Sequence, residues 1–340
     1  MRNDKQKVIL DPSFRRMDEI FSPSDRERLH DLVDVVWGRD EPMPVAAARA
    51  ALGSATAIVC TGWRYGEVIP AAPRLRAIID VSGHFPAELD YRECFSRNIR
   101  VLSAAPGFAR QVAEMALGLA LSATREIVAG DAEMRAGRER WLHAGNETTS
   151  LLFDKPVGFI GYGSIARSLQ PLLAPFGCPV SAYDPWLSDG YLRSNSVRPA
   201  DLDELIRTSA VIFVLAAPSS ENKALLGREL LAQVRPDAVV VLISRAHVVD
   251  FDALTEFVLE GRFKAAIDVF PDEPLAPDHP IRDARHAVLS AHRAGSVREG
   301  LWELGELVVD DLEAIIEGLP PQRLQNAVPE LIDRLTVRPG

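Results

Sequence analysis

The chain has 340 residues, 47% of them hydrophobic and 25% charged, which suits two well-packed domains and excludes a disordered chain. Thirty-eight basic residues against 48 acidic ones give a formal charge of -10, a balance that disfavours nucleic acid and anionic membrane surfaces as partners. Three widely spaced cysteines, Cys60, Cys94 and Cys178, form neither a disulfide framework nor a metal-binding spacing. The charged start lacks a long apolar core, so the expectation is a cytoplasmic protein with no metal site.

In chain order, short β-type runs at residues 8–10, 33–37, 57–60, 77–81 and 99–102 alternate with helical segments such as 44–52. A long helix is predicted from residue 109 to about 136, with Val112, Met115, Ala116, Leu119 and Ala120 on its apolar face. A crossing loop is expected at 137–149. A second series follows, with strands at 157–160, 180–183, 210–215, 238–242, 265–269 and 287–290. Helices at 164–176, 202–207, 228–233 and 251–259 separate them, and an amphipathic helix at 296–318 precedes a Pro-rich tail. The pattern predicts an α/β fold of two Rossmann-like doubly wound parallel-sheet domains with a cleft between them.

The strand at 157–160 runs into Gly161-x-Gly163-x-x-Ala166, followed at once by a helix. The first glycine permits a tight turn, the second lets backbone amides approach a pyrophosphate, and a small third residue packs helix on strand. Asp184 stands 23 positions beyond Gly161, at the end of the next strand. A carboxylate there accepts hydrogen bonds from ribose hydroxyls and repels a 2′-phosphate, which favours NAD over NADP.

Arg245, Glu273 and His292 each follow a predicted strand, so a parallel sheet carries all three to the same rim as Gly161 and Asp184. A guanidinium binds a carboxylate in two-pronged fashion. An imidazole beside a carboxylate is suited to hand a proton to, or take one from, a reacting oxygen.

With these residues in view, the chain resembles the D-isomer-specific 2-hydroxyacid dehydrogenase family along most of its length. The resemblance rests on the glycine loop, on residues 243–250 around Arg245, and on residues 268–275, which are similar to the family's D-V-F-x-x-E-P-L run. Residues 290–295 around His292 complete it. It implies that Arg245 binds the substrate carboxylate, that His292 is the acid/base, and that Glu273 is its partner. It further implies that Ser164, Ile165, Asp184, Pro218, Ser244 and Asp268 approach the cofactor together with Gly161 and Gly163.

Residues 1–104 with 297–340 are then expected to form the substrate-binding domain, and residues 105–296 the NAD-binding domain. Backbone amides near Ser82, Gly83 and His84 are expected to face the substrate carboxylate. A homodimer through the helix near 109–136 is implied as well. The substrate loop departs from the family's G-x-G-x-D-N-I-D: Phe85 replaces the second glycine and His84 a small apolar residue. Ala246 and His247 stand where a glycine usually follows the arginine.

The expectation is an NAD(H)-dependent oxidoreductase acting on a 2-oxo acid/D-2-hydroxy acid pair, with glyoxylate- and hydroxypyruvate-type substrates first. The alternative is an NAD(H)-sensing binding protein, similar to the family's corepressor branch, that recruits a protein partner. Phe85 plugging the substrate side would favour that alternative.

Overall fold

In the computed structural model, which describes residues 5–335, the chain divides into two units. Unit 1 comprises the chain up to Ala109 and from Gly295 onward, and unit 2 is Arg110–Ala294. Unit 1 contains the strands Lys7–Asp11 (β1), Asp34–Trp37 (β2), Ala57–Cys60 (β3), Ala77–Asp80 (β4) and Arg100–Ser103 (β5), with Gln325–Asn326 (β13) returning from the end of the chain. Their order is β13-β5-β4-β3-β1-β2, parallel except for β13, which pairs antiparallel with β5.

Alternating side chains explain the two covered faces. Val8, Leu10, Val59 and Ile79 point into one core with Leu304, Val308 and Leu312 of the helix Arg298–Ile316. Ile9, Ile58, Ile78 and Val101 point into the other, with Leu52, Tyr65 and Cys94. The turn before β13 is fixed by Asp311, whose buried carboxylate accepts the amides of Gln322, Arg323 and Leu324 at 2.7–3.1 Å.

Unit 2 holds Val157–Ile160 (β6), Val180–Tyr183 (β7), Arg198–Pro199 (β8), Val211–Val214 (β9), Val239–Leu242 (β10), Lys264–Ile267 (β11) and Ala287–Leu289 (β12). The sheet order is β12-β11-β10-β9-β6-β7-β8, all parallel. The chain order reverses between β6 and β9, which makes that edge the switch point of a doubly wound sheet. The expected fold class of two doubly wound parallel sheets holds. Among the described residues no helix is long and apolar enough to cross a membrane.

Two helices differ from expectation. The segment 109–136 is not one helix but two, Ala109–Thr124 and Ile127–Arg135. Glu126 breaks them with a left-handed φ of 53°. Its carboxylate meets Lys264 Nζ at 2.6 Å, and that ammonium also donates to the Thr148 carbonyl at 2.6 Å. A nearly buried lysine therefore draws the chain out of helical register. The helix expected over 164–176 ends at Leu173, because Pro171 offers no amide and a 3-10 turn, Ala174–Phe176, takes over.

Candidate active site

The glycine loop leaves β6 with Gly161 at φ +90°, where a Cβ would lie 2.7 Å from the Ala216 backbone. Only glycine fits that crossing between the ends of β6 and β9. Gly163 is the N-cap of the helix Ser164–Leu173, makes no side-chain cap, and faces open space. Ala166, Leu169 and Leu173 are fully buried and seat the helix on the sheet, so its first-turn amides are presented at the rim. Ser164 and Ile165 lie half-buried in that turn.

Asp184, at the end of β7, takes the Tyr162 amide on Oδ2 at 2.8 Å and the Trp186 amide on Oδ1 at 3.0 Å. It thereby locks the glycine loop to the neighbouring strand while remaining half-exposed. Each oxygen keeps acceptor capacity for a further donor. Pro218 sits half-buried beyond β9, next to buried Ser219. The Ser244 hydroxyl, beyond β10, is enclosed without a hydrogen-bond partner. An open amide cradle, a half-exposed carboxylate and an orphaned hydroxyl on one rim fit a dinucleotide.

Arg245 follows Ser244 and donates from one Nη to the Ser244 carbonyl at 2.7 Å, which holds the guanidinium against its own turn. Burial pushes its pKa down, with the Glu273 charge opposing. His247 reaches back to the Ser219 carbonyl at 3.1 Å, linking the Arg245 turn to the loop after β9. That link was not anticipated from sequence, since nothing in the spacing pairs residues 28 apart on separate loops.

Beyond β11, Asp268 is completely buried, and its carboxylate accepts the amides of Arg293 at 3.0 Å and Ala294 at 3.1 Å. Its carbonyl accepts the His292 amide at 2.7 Å. These bonds hold His292 at φ +49°, a left-handed conformation costly for a non-glycine residue. Asp268 thus shapes the turn that presents the imidazole.

The ring's Nδ1 lies 2.6 Å from Glu273 Oε2, while Glu273 Oε1 takes the Phe270 amide at 2.9 Å. Burial pushes the Glu273 carboxyl up, but the bonds from His292 and Phe270 and the charges of His292 and Arg245 outweigh it, leaving it below the usual carboxylate value of 4.5. An ionised carboxylate only accepts, so Nδ1 carries the proton of this bond and Nε2 is the nitrogen left for other chemistry. The His292 side chain is 41% exposed.

The model of a family described as D-isomer specific 2-hydroxyacid dehydrogenase, NAD binding domain, matches residues 117–294. The chain belongs to this family. Among relatives, the glyoxylate reductase of Thermofilum pendens is 31% identical over 267 residues, 76% of this chain and 77% of that one. The D-3-phosphoglycerate dehydrogenase of Mycobacterium tuberculosis is 30% identical over 304 residues, 87% of this chain and 56% of that one. The chain spans about half the length of the phosphoglycerate dehydrogenases it matches. The crystal structure of a phosphoglycerate oxidoreductase from Rhizobium etli has 35% identity and a TM-score of 0.85, covering 95% of this chain and 99% of that one. Unit 2 is accordingly the family's NAD-binding domain.

In unit 1, the loop Ser82, Gly83 and His84 follows β4 and is held from below by Asp80. Asp80 is buried and accepts the Gly62 and Ser82 amides, both at 2.7 Å, as well as the Ser82 hydroxyl. Burial pushes its carboxyl up, with those donors and the His84 amide pulling the other way. Ser82 and Gly83 are half-buried and His84 is exposed. Phe85 is half-buried and packs against the unit's own core cluster.

Proposed function

We infer that the protein is an NAD(H)-dependent oxidoreductase interconverting a 2-oxo acid and a D-2-hydroxy acid, with the core shared by glyoxylate and hydroxypyruvate as its starting substrate class. The observation that carries this reading is the 2.6 Å bond between His292 Nδ1 and Glu273 Oε2 on the rim of a family NAD-binding domain. NAD(H), when bound, would supply the hydride chemistry at substrate C2. Gly161, Gly163, Ser164 and Ile165 would hold its phosphates, Asp184 its ribose, and Pro218 and Ser244 the remaining wall.

The chain's own residues do the rest. In the oxidising direction His292 Nε2 takes the proton of the substrate hydroxyl, and in reduction it returns that proton to the carbonyl oxygen. Glu273 holds the ring's orientation through the Nδ1 bond. Arg245 binds the substrate carboxylate as a two-pronged donor. Ser82, Gly83 and His84 offer substrate contacts from unit 1. Asp268 positions His292 through the turn it clamps, and the carboxylate at Asp184 gives NAD its advantage over NADP.

A homodimer is part of the same reading. Ile127, Val128, Met134, Trp141, Leu142, Leu151 and Phe153 are all exposed in the single chain, with Leu142 at 86%. So large an apolar set on one stretch of unit 2 is suited to a second copy of the chain. Sedimentation should give twice the 37.3 kDa chain mass, and Trp141→Glu with Leu142→Glu should shift it to the monomer.

The activity is tested by following NADH oxidation with purified protein and a panel of 2-oxo acids, with the configuration of the product read by chiral chromatography. A D-2-hydroxy acid is expected. Tight NADH binding without turnover of any member would move the account to the NAD(H)-sensing alternative.

A further inference from the structure

Unit 1 has a polar rim of its own, stitched from the segments that follow β1, β3, β4 and β5. The Thr61 hydroxyl donates to the Ser13 carbonyl, joining the turn after β1 to the loop after β3. Asp80 joins that loop to Ser82. Phe108, after β5, lies against the substrate loop: a Cβ on Gly83, at φ +89°, would be 2.9 Å from its ring.

Two arginines stand on this rim, and they differ. Arg64 has a counter-ion, because its Nη2 makes an ion pair with the buried carboxylate of Asp11. Arg15 is half-buried, with Nε enclosed and without a hydrogen-bond partner. Among the described residues no carboxylate oxygen lies within 4.0 Å of its guanidinium. Its guanidinium carbon sits 5.4 Å from the Phe108 centroid and 5.1 Å from that of Phe14. Glu19 supplies the opposing charge at a distance, and its carboxylate already takes the Arg16 amide at 3.1 Å. Burial pushes the Arg15 pKa down, as expected of a cation stripped of water without a partner.

Taking a charge out of water without a counter-ion is costly, and two aromatic faces offset only part of it. An oxyanion arriving from outside would supply the missing bonds. One aromatic ring separates this cation from Gly83.

We propose that Arg15 is a specificity-determining residue that binds a second anionic group of the substrate, so that the preferred 2-oxo acids carry a carboxylate or a phosphate at the end remote from C1. The inference rests on the reading of Ser82, Gly83 and His84 as the substrate loop, and it narrows the substrate class given above.

Two matched pairs test it by steady-state kinetics: 2-oxoglutarate against 2-oxopentanoate, and 3-phosphohydroxypyruvate against hydroxypyruvate. Wild-type protein should favour the anionic member of one pair by roughly 10–100-fold in kcat/KM, the range of a charge-assisted hydrogen bond. The pair that shows the preference distinguishes carboxylate from phosphate. Arg15→Met should abolish that preference through KM, and Arg15→Lys should recover part of it as a point charge. NADH affinity and the unfolding midpoint report whether each variant is folded. Should Arg15→Met fail to fold, the comparison of Arg15→Lys and Arg15→Gln serves the same purpose.

Unchanged preference in a folded Arg15 variant would overturn the assignment. So would wild-type protein that turns over the uncharged members equally well, which would leave the oxidoreductase reading standing. Wild-type protein that turns over none of the four would overturn the assignment, and only silence across the whole 2-oxo acid panel would overturn the oxidoreductase reading as well.

Discussion

Asp80 in unit 1 and Asp268 in unit 2 occupy matching places, each buried at the C-terminal end of a parallel strand and each clamping the next turn through backbone amides. What they clamp is different. Asp268 fixes His292, whose imidazole is already engaged by Glu273. Asp80 fixes a loop of backbone amides, and the enclosed Nε of nearby Arg15 has no hydrogen-bond partner. On the proposed reading, the same scaffold device serves an acid–base pair in one unit and an anion-receptive edge in the other. A buried aspartate on such a rim identifies where the chain is held, and the group it holds identifies the chemistry.

The comparison can be broken most severely at the histidine. His292→Ala should lower kcat by roughly 10²–10⁴-fold, the worth of a positioned general acid, while NADH affinity stays within about twofold. Transient kinetics with NADH fluorescence separate the two quantities. Arg245→Lys keeps the charge and loses the fork, and kcat/KM should fall about 100-fold, mostly through KM.

The two aspartates sharpen the contrast. Asp268→Ala and Asp80→Ala should each cost about 2–4 kcal/mol in denaturant unfolding, since each leaves buried amides unsatisfied. Their kinetic effects should separate. Asp268→Ala should act on kcat through a misplaced His292, and Asp80→Ala should raise KM about 10-fold through a loosened Ser82–His84 segment. Equal kcat losses in both would erase the distinction between the units.

The smallest effect is a pH dependence. Glu273 has its carboxyl held below the ordinary value, so its contribution to folded stability is complete above that value. The contribution is lost as pH falls through the lowered value in the folded protein. Glu273→Gln should therefore flatten the acid limb of the melting temperature below about pH 4.5, and leave the neutral limb nearly unchanged. The carboxylate is partly exposed, which keeps the difference modest.

Much of unit 2 was legible in the sequence because its chemistry is local. Strands 157–160 and 180–183 and the helix 251–259 coincide with the observed elements, and the glycine loop follows directly from its pattern. What escaped is what depends on partners far apart in the chain. The break at Glu126 depends on Lys264, 138 residues away, and no helix propensity encodes it. His247 depends on a carbonyl at Ser219. Residues Gln325 and Asn326 form a strand only because Asp311 turns the chain toward β5. The helix Pro23–Leu32 carries a local signal of its own: Ser22 caps the Asp25 amide at 3.1 Å and a proline occupies its first position. Arg15 had no signal at all, because an isolated arginine gains meaning only from the partners it lacks in three dimensions.

The central claim is that His292 and Glu273 act as one acid–base device. A double-mutant cycle on kcat tests it most directly, using the best substrate of the panel with wild-type protein, Glu273→Gln, His292→Ala and the pair combined. The account predicts that Glu273→Gln costs about 10–100-fold in wild-type protein and almost nothing once His292 is alanine. Losses that simply multiply would contradict it, because Glu273 would then act without the ring it touches.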